Sequence, residues 1–121
     1  MGAYEILGSG PEGNGWGLAV RIPEDSALFT GHFPGHPILP GIAHLALVTR
    51  AISDWRGRKV ALAGVRSIKL RRPVGPGETL LVRLSAPAAD GSLGFVLERQ
   101  GGEIEVLSRG TVLVSGGAGW R

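Results

Sequence analysis

Residues 29–53 read FTGHFPGHPILPGIAHLALVTRAIS, and this stretch decides the fold. It holds all three histidines (His32, His36 and His44) and three of the eight prolines (Pro34, Pro37 and Pro40). Proline fixes its own φ and keeps the preceding residue out of the α region, so residues 31–40 are expected to form a rigid, extended, turning segment. Pro40 can then open a helix, where its missing N–H costs nothing. The run Gly41 to Ser53 continues without another Pro or Gly, and Ile42 to Thr49 carries no charge. A helix apolar all round is normally buried. The pattern predicts a sheet wrapped around this helix. The histidine loop would feed the helix N-terminus, where free N–H groups and the positive dipole end gather.

Working outward, Ala3–Leu7 reads as a short strand and SGPEGNG (9–15) as a turn-rich connection. Residues 16–23 alternate as a strand ending at Pro23, and 24–31 connect to the central segment. Gly57 is placed to end the helix region. Four strands are expected beyond it, at Lys59–Leu70, Glu78–Ala86, Leu93–Gln100 and Glu103–Val114, with hairpin signals in ADG and GG between them. The fold class is α+β: one long helix and five or six antiparallel strands in a single domain spanning 1–121, with a mobile Gly-rich tail at 115–121.

The bulk numbers narrow the function classes. The chain has 121 residues, 43% hydrophobic, and no cysteine, which excludes disulfides and thiolate metal sites. The N-terminus has neither a basic region nor a long apolar run, and no stretch is long enough to span a membrane, so a soluble cytoplasmic protein is expected. The net charge of +3 is mild and aromatics are only 6%, which argues against nucleic acid as a partner. The densest basic cluster is Arg66, Lys69, Arg71 and Arg72. It reads either as a solvated strand end or as a docking patch for an acidic partner.

The segment GHFPGHPILPG (31–41) resembles the G-H-F-P-x-x-P-x-x-P-G signature of the FabZ/FabA-type 3-hydroxyacyl-[acyl-carrier-protein] dehydratases, with every fixed position met. ALAGVRSIKLRRPVGPGETLLV (61–82) resembles the family's strand, K/R-R-P-V-x-P-G-D/E turn and next strand. With weaker tail strands, the resemblance covers residues 16–115. It implies the hot-dog fold, a long central helix wrapped by an antiparallel sheet, in a dimer or an assembly of dimers. It also implies an acyl carrier protein thioester as substrate, in fatty-acid or polyene-type acyl-chain biosynthesis, no cofactor, and docking of the acidic carrier on Arg66, Lys69, Arg71 and Arg72.

Dehydrating a 3-hydroxyacyl thioester needs a base for the α-proton, an acid for the leaving hydroxyl and a donor for the developing enolate oxygen. Histidine suits the first and a backbone N–H at a helix N-terminus the last. The resemblance makes His32 the base and the Gly41 N–H the donor, since Pro40 has none, with Phe33 and the prolines, Pro40 included, shaping the acyl tunnel. The family carries Glu or Asp six residues after the final motif proline. That position is Ala46 here, and no carboxylate lies between residues 26 and 53. Asp54 is about 12 Å of helical rise further on.

His44 precedes Ala46 by two residues, a turn of about 200°, so it faces away and reads as a hydrogen-bonded core or interface residue. His36 occupies a variable motif position and reads as an exposed loop residue. A histidine metal site is not expected, because no Cys or nearby carboxylate completes it. The leading expectation is a dehydratase-like hydro-lyase whose activity is reduced or depends on a partner. The alternatives are a catalytically incomplete subunit that pairs with an acid-bearing hot-dog partner, a non-enzymatic acyl-binding module, and a thioesterase.

Overall fold

The described residues form six strands, a short 3-10 turn and one helix with a single buried face. The computed structural model describes residues 3–29 and 38–114. Its elements are β1 (Glu5–Glu12), β2 (Gly15–Arg21), a 3-10 turn (Ala27–Phe29), α1 (Gly41–Arg56), β3 (Leu62–Leu70), β4 (Thr79–Leu84), β5 (Ser92–Arg99) and β6 (Glu105–Val114). The strands form one antiparallel sheet in the order β1-β2-β4-β5-β6-β3, packed on α1. This is the α+β arrangement of a central helix and an enclosing sheet that the sequence predicts.

Two local expectations are corrected. Ser9–Glu12 belong to β1 rather than to a connection. Glu12 pairs with Gly15, so the hairpin closes over Gly13 and Asn14 alone, with Gly13 supplying φ 57°. The helix is not buried on every side. Ala43, His44, Leu47, Val48, Ala51 and Ile52 face the sheet at i, i+3/i+4 spacing, whereas Ile42 is 76% exposed and Ala46 and Arg50 also face outward. Among the described residues the sheet covers one flank of an apolar helix and leaves the other open.

The helix ends where Gly57 adopts φ 72°, its N–H bonding the Asp54 carbonyl and that of Arg58 the Ser53 carbonyl. Against the buried face of α1 lie Leu18 and Val20 of β2, Leu80 and Val82 of β4, and Leu93 and Leu97 of β5, all fully buried. Each contributes about 1.5–3 kcal/mol of burial energy. Trp16 on β2 stacks on Trp55 near the helix end, centroids 6.2 Å apart and planes within 15°. Phe95 lies under Gly110 of β6. A Cβ at Gly110 would fall 2.2 Å from the Ser67 carbonyl oxygen and 2.8 Å from the Phe95 ring, so only glycine lets β3 and β6 pair over that ring. Among the described residues β3 pairs with β6 alone, and its other edge has no partner.

Candidate functional site

The site is built around the start of α1. Pro40 is extended (φ −72°, ψ 158°), and no side chain among the described residues caps the helix. Ala43 and His44 N–H both turn back to the Pro40 carbonyl, at 3.0 and 3.4 Å. The N–H groups of Gly41 and Ile42 have no acceptor among the described residues, as the first turn of a helix requires. His32 and Phe33, with His36, lie outside the described residues.

What holds this helix start in place is His44. It is buried, with Nδ1 2.8 Å from the buried Ser108 hydroxyl, and it also bonds the Leu39 backbone. A neutral ring satisfies both: Nδ1 accepts from Ser108, and the other ring nitrogen donates to the Leu39 carbonyl. The Leu39 N–H donates to Val74 O at 2.8 Å. Leu39 is thus gripped from both sides, immediately before Pro40 and Gly41. Burial pushes the His44 pKa below its usual value, and the Leu39 bond only partly opposes this. Because the unfolded chain binds this proton more tightly than the folded one, the stability it affects is complete above about pH 6.5 and declines as the pH falls below that. Ser108→Ala, which leaves Nδ1 unpaired, should cost about 1–3 kcal/mol in urea unfolding at pH 8; a loss below 0.5 kcal/mol, on the order of an ordinary surface change, would contradict this role.

The second motif block packs beside the same point. A Cβ on Gly41 would lie 3.3 Å from Leu70 Cδ1. The turn after β3 is fastened by Arg71 and Arg72 N–H to Leu107 O (2.8 and 3.2 Å), by Gly75 N–H to the Glu78 carboxylate (2.7 Å), and by Gly77 N–H to Ile22 O (2.7 Å). Arg99 grips Glu78, Glu105 and, at 2.8 Å, the Pro73 carbonyl. Burial raises the Glu78 pKa, but the Arg99 bond and the Gly75 N–H outweigh it, and the net shift is downward. The chemistry of this turn is therefore structural: it presents the Val74 carbonyl to the Leu39 N–H.

The basic cluster divides. Arg66 pairs with Asp90 at 2.9 Å, whose carboxylate the Ser92 N–H and O–H and this arginine hold below its normal pKa range. Arg72 pairs with Glu105 at 3.3 Å. Lys69 and Arg71 have no ionic partner among the described residues, and Lys69 sits opposite Arg109 in the β3–β6 register. Arg109, missed in the sequence, joins them through strand pairing across 40 residues. An open concavity of about 740 Å³ lies here, lined by Lys69, Leu70, Arg71, Arg72, Ile104 and Arg109, among others. Leu70 and Ile104 are exposed aliphatics in a cationic rim.

Ala46 faces away from His44, as the helical turn demands. It lines a second cavity of about 490 Å³ with Tyr4, Thr49, Arg50, Asp54 and residues just past the helix. Asp54 is the only carboxylate in that lining. Both its oxygens are engaged: Oδ1 accepts from Arg50 Nε (3.0 Å) and Oδ2 from Ser9 Oγ (3.1 Å), which itself accepts from Trp16 Nε1 (2.9 Å).

Known proteins agree with this geometry. The sequence model of the ApeI-like family, described as ApeI dehydratase, matches residues 10–110. The 3-hydroxyacyl-[acyl-carrier-protein] dehydratase FabZ of Syntrophobacter fumaroxidans is 31% identical over 73% of this chain and 69% of its own. That of Herpetosiphon aurantiacus is 30% identical over 80% and 70%, and that of Latilactobacillus sakei is 36% identical over 54% of this chain but 51% of its own length. The chain thus spans between about half and 70% of these relatives. Among solved structures, an uncharacterized protein from Erwinia carotovora superposes with TM-score 0.79 at 25% identity, covering 93% of this chain and 95% of its own. The dehydratase heterocomplex ApeI:P from Xenorhabdus doucetiae does so with TM-score 0.70 at 21%, covering 92% and 96%. The fold is the hot-dog fold.

Proposed function

Because the chain belongs to the ApeI-like family of FabZ-type hot-dog dehydratases, we propose that it removes water from 3-hydroxyacyl thioesters carried by an acyl carrier protein. The observation that supports this most is the start of α1, which no side chain among the described residues caps and which closes the intact G-H-F-P-x-x-P-x-x-P-G motif at Gly41. His32 takes the C2 proton. The Gly41 N–H, which no side chain among the described residues caps, holds the thioester oxygen as charge develops on it. The C3–O bond breaks, C2 and C3 become doubly bonded, and a proton delivered to the hydroxyl makes water. Phe33 and Pro40 shape the acyl tunnel. The carrier's acidic surface docks on Lys69 and Arg71, with Arg66 and Arg72 at the rim.

The working unit in this reading is a dimer. Ile42 and the outer helix face are open in one chain, and so is the edge of β3. An apolar helix flank and an unpaired strand edge are surfaces that a second hot-dog subunit covers. Ile42→Glu should shift the protein to monomer in light scattering without unfolding it, because a carboxylate in the first turn suits the helix dipole; an unchanged dimer would remove this face from the interface.

A second reading is favoured by Ala46. A chain with His32 but no carboxylate at residue 46 supplies half of a site to a partner that carries the acid; a related structure is described as a dehydratase heterocomplex. One experiment separates the two. The purified chain is incubated alone with a 3-hydroxyacyl carrier protein thioester, and water loss is followed by mass spectrometry in both directions. Turnover supports the homomeric dehydratase. Silence that a second hot-dog subunit relieves supports the incomplete subunit, and silence under both conditions overturns the dehydratase reading.

A further inference from the structure

The sheet face turned away from α1 carries a feature that the acyl site does not use. Lys69 of β3 lies opposite Arg109 of β6, and Arg109 lies opposite Val96 of β5, so all three share the outer face. Arg71 follows Lys69 by two residues and joins it and Arg109 in lining an open concavity of about 490 Å³. No carboxylate lines it. The larger concavity beside Leu70 and Ile104 shares the same three cations.

These cations stand apart from their neighbours. Arg66, Arg72, Arg83 and Arg99 each meet a carboxylate. Lys69, Arg71 and Arg109 meet none among the described residues. Like charges directly opposite one another on paired strands repel, so the Lys69–Arg109 pair weakens the sheet instead of supporting it. An anion seated between them reverses that sign.

The other half of the concavity is built of hydroxyls. Ser67 pairs with Thr111, and Thr111 with Gly94. Ser85 reaches across from the end of β4: a Cβ on Gly94 would fall 3.1 Å from its Oγ. The missing side chain at residue 94 therefore keeps the space beside Ser85 open. The Ser67, Ser85 and Thr111 hydroxyls have no hydrogen-bond partner among the described residues, so three O–H donors line the same opening as the three cations.

Phosphate oxygens accept from both kinds of donor. The row Ser67, Lys69, Arg71 runs about 13 Å at about 3.3 Å per residue, more than one phosphate group spans. The one aromatic residue in the lining, Phe95, is 2% exposed, so a nucleic-acid strand has no ring to stack its bases on. We propose that the outer face of β3, β6 and β5 binds a diphosphate group, with Lys69, Arg71 and Arg109 on one phosphate and the Ser67, Ser85 and Thr111 hydroxyls on the other. The site shares Lys69 and Arg71 with the carrier surface proposed above but takes no part in dehydration, so the two stand or fall separately.

The test is calorimetric titration of the full chain with inorganic diphosphate at about 0.1 M salt, where distant surface charges are screened. Saturable binding of one diphosphate per chain is expected. Arg109→Gln should weaken it about tenfold or more, the contribution of one charge-assisted hydrogen bond. The urea midpoint should hold or rise in this variant, because the repulsion from Lys69 is relieved. Ser85→Glu sets a carboxylate beside Gly94 and should weaken binding at least as much. Arg21→Gln makes the same change of charge on β2, at an arginine paired with Glu5, and should leave binding unchanged. Sulfate, a single tetrahedral dianion, should bind at least about tenfold more weakly than diphosphate. Uridine diphosphate identifies the source: affinity equal to that of the free anion assigns the site to a diphosphate ester, and weaker affinity assigns it to inorganic diphosphate. No saturable binding of either diphosphate, equal binding of sulfate, or an equal loss in Arg21→Gln and Arg109→Gln would overturn the site and leave only a basic surface.

Discussion

His32→Ala should lower the rate of water loss by about 10²–10⁴-fold, the usual contribution of a positioned general base, and leave the urea midpoint where it was. The magnitude follows from the division of labour among the three histidines. His44 cannot stand in for His32: its ring is buried and committed to Ser108 and Leu39, on the opposite side of α1 from Ala46. Loss of His32 therefore leaves the thioester oxygen held but the C2 proton untouched. Unchanged turnover in His32→Ala would remove it as the base. A fall accompanied by unfolding would be checked against His32→Gln, which keeps a polar side chain of similar reach.

Phe95→Ala should cost about 3–5 kcal/mol, a large part of the 5–15 kcal/mol that holds a domain of this size together. Phe95 is 2% exposed, and its ring sits where β4, β5 and β6 meet below Gly110. The cavity left by truncation cannot collapse easily, because its roof is backbone: Gly110 has no side chain to fall inward, and the Ser67 carbonyl lies directly above. Urea unfolding at pH 8, where the His44 contribution is complete, would measure it. A cost below about 1.5 kcal/mol, as for a volume-conserving swap, would mean that the sheet relaxes more than this packing allows.

The helix, its two ends and the strand pattern were legible because they rest on local rules: proline at the start, glycine at the end, alternation between. The motif block 31–41 carried the family because its residues are contiguous. The misreadings have physical causes. Ser9 to Glu12 look like turn residues, yet β1 needs no core-facing side chains at an exposed edge, so pairing with β2 overrides propensity. The helix was expected to be buried all round because its sequence is apolar, and nothing in a single sequence says which flank a second chain would cover. Arg109 and Tyr4 belong to their clusters only through strand register and the packing of the N-terminal segment, which no local pattern encodes. The Arg99 clasp was invisible for the same reason: Pro73 and Glu78 of the β3–β4 turn and Glu105 at the start of β6 converge on it.

The open edge of β3 also bears on how the chain is made. Among the described strands β3 is hydrogen-bonded to β6 alone, and β6 is the last of them in chain order. Residues 71–104 separate the two. At about 5–20 residues per second, β3 therefore leaves the ribosome about 2–7 s before its only strand partner exists. During that interval Val65 and Leu70 are displayed on a strand with both edges free, the kind of segment that nascent-chain chaperones shield. A tag or fusion that delays β6 would lengthen this exposure, so soluble yield should be more sensitive to changes at the C-terminal end of β6 than to changes at the N-terminal end of β1.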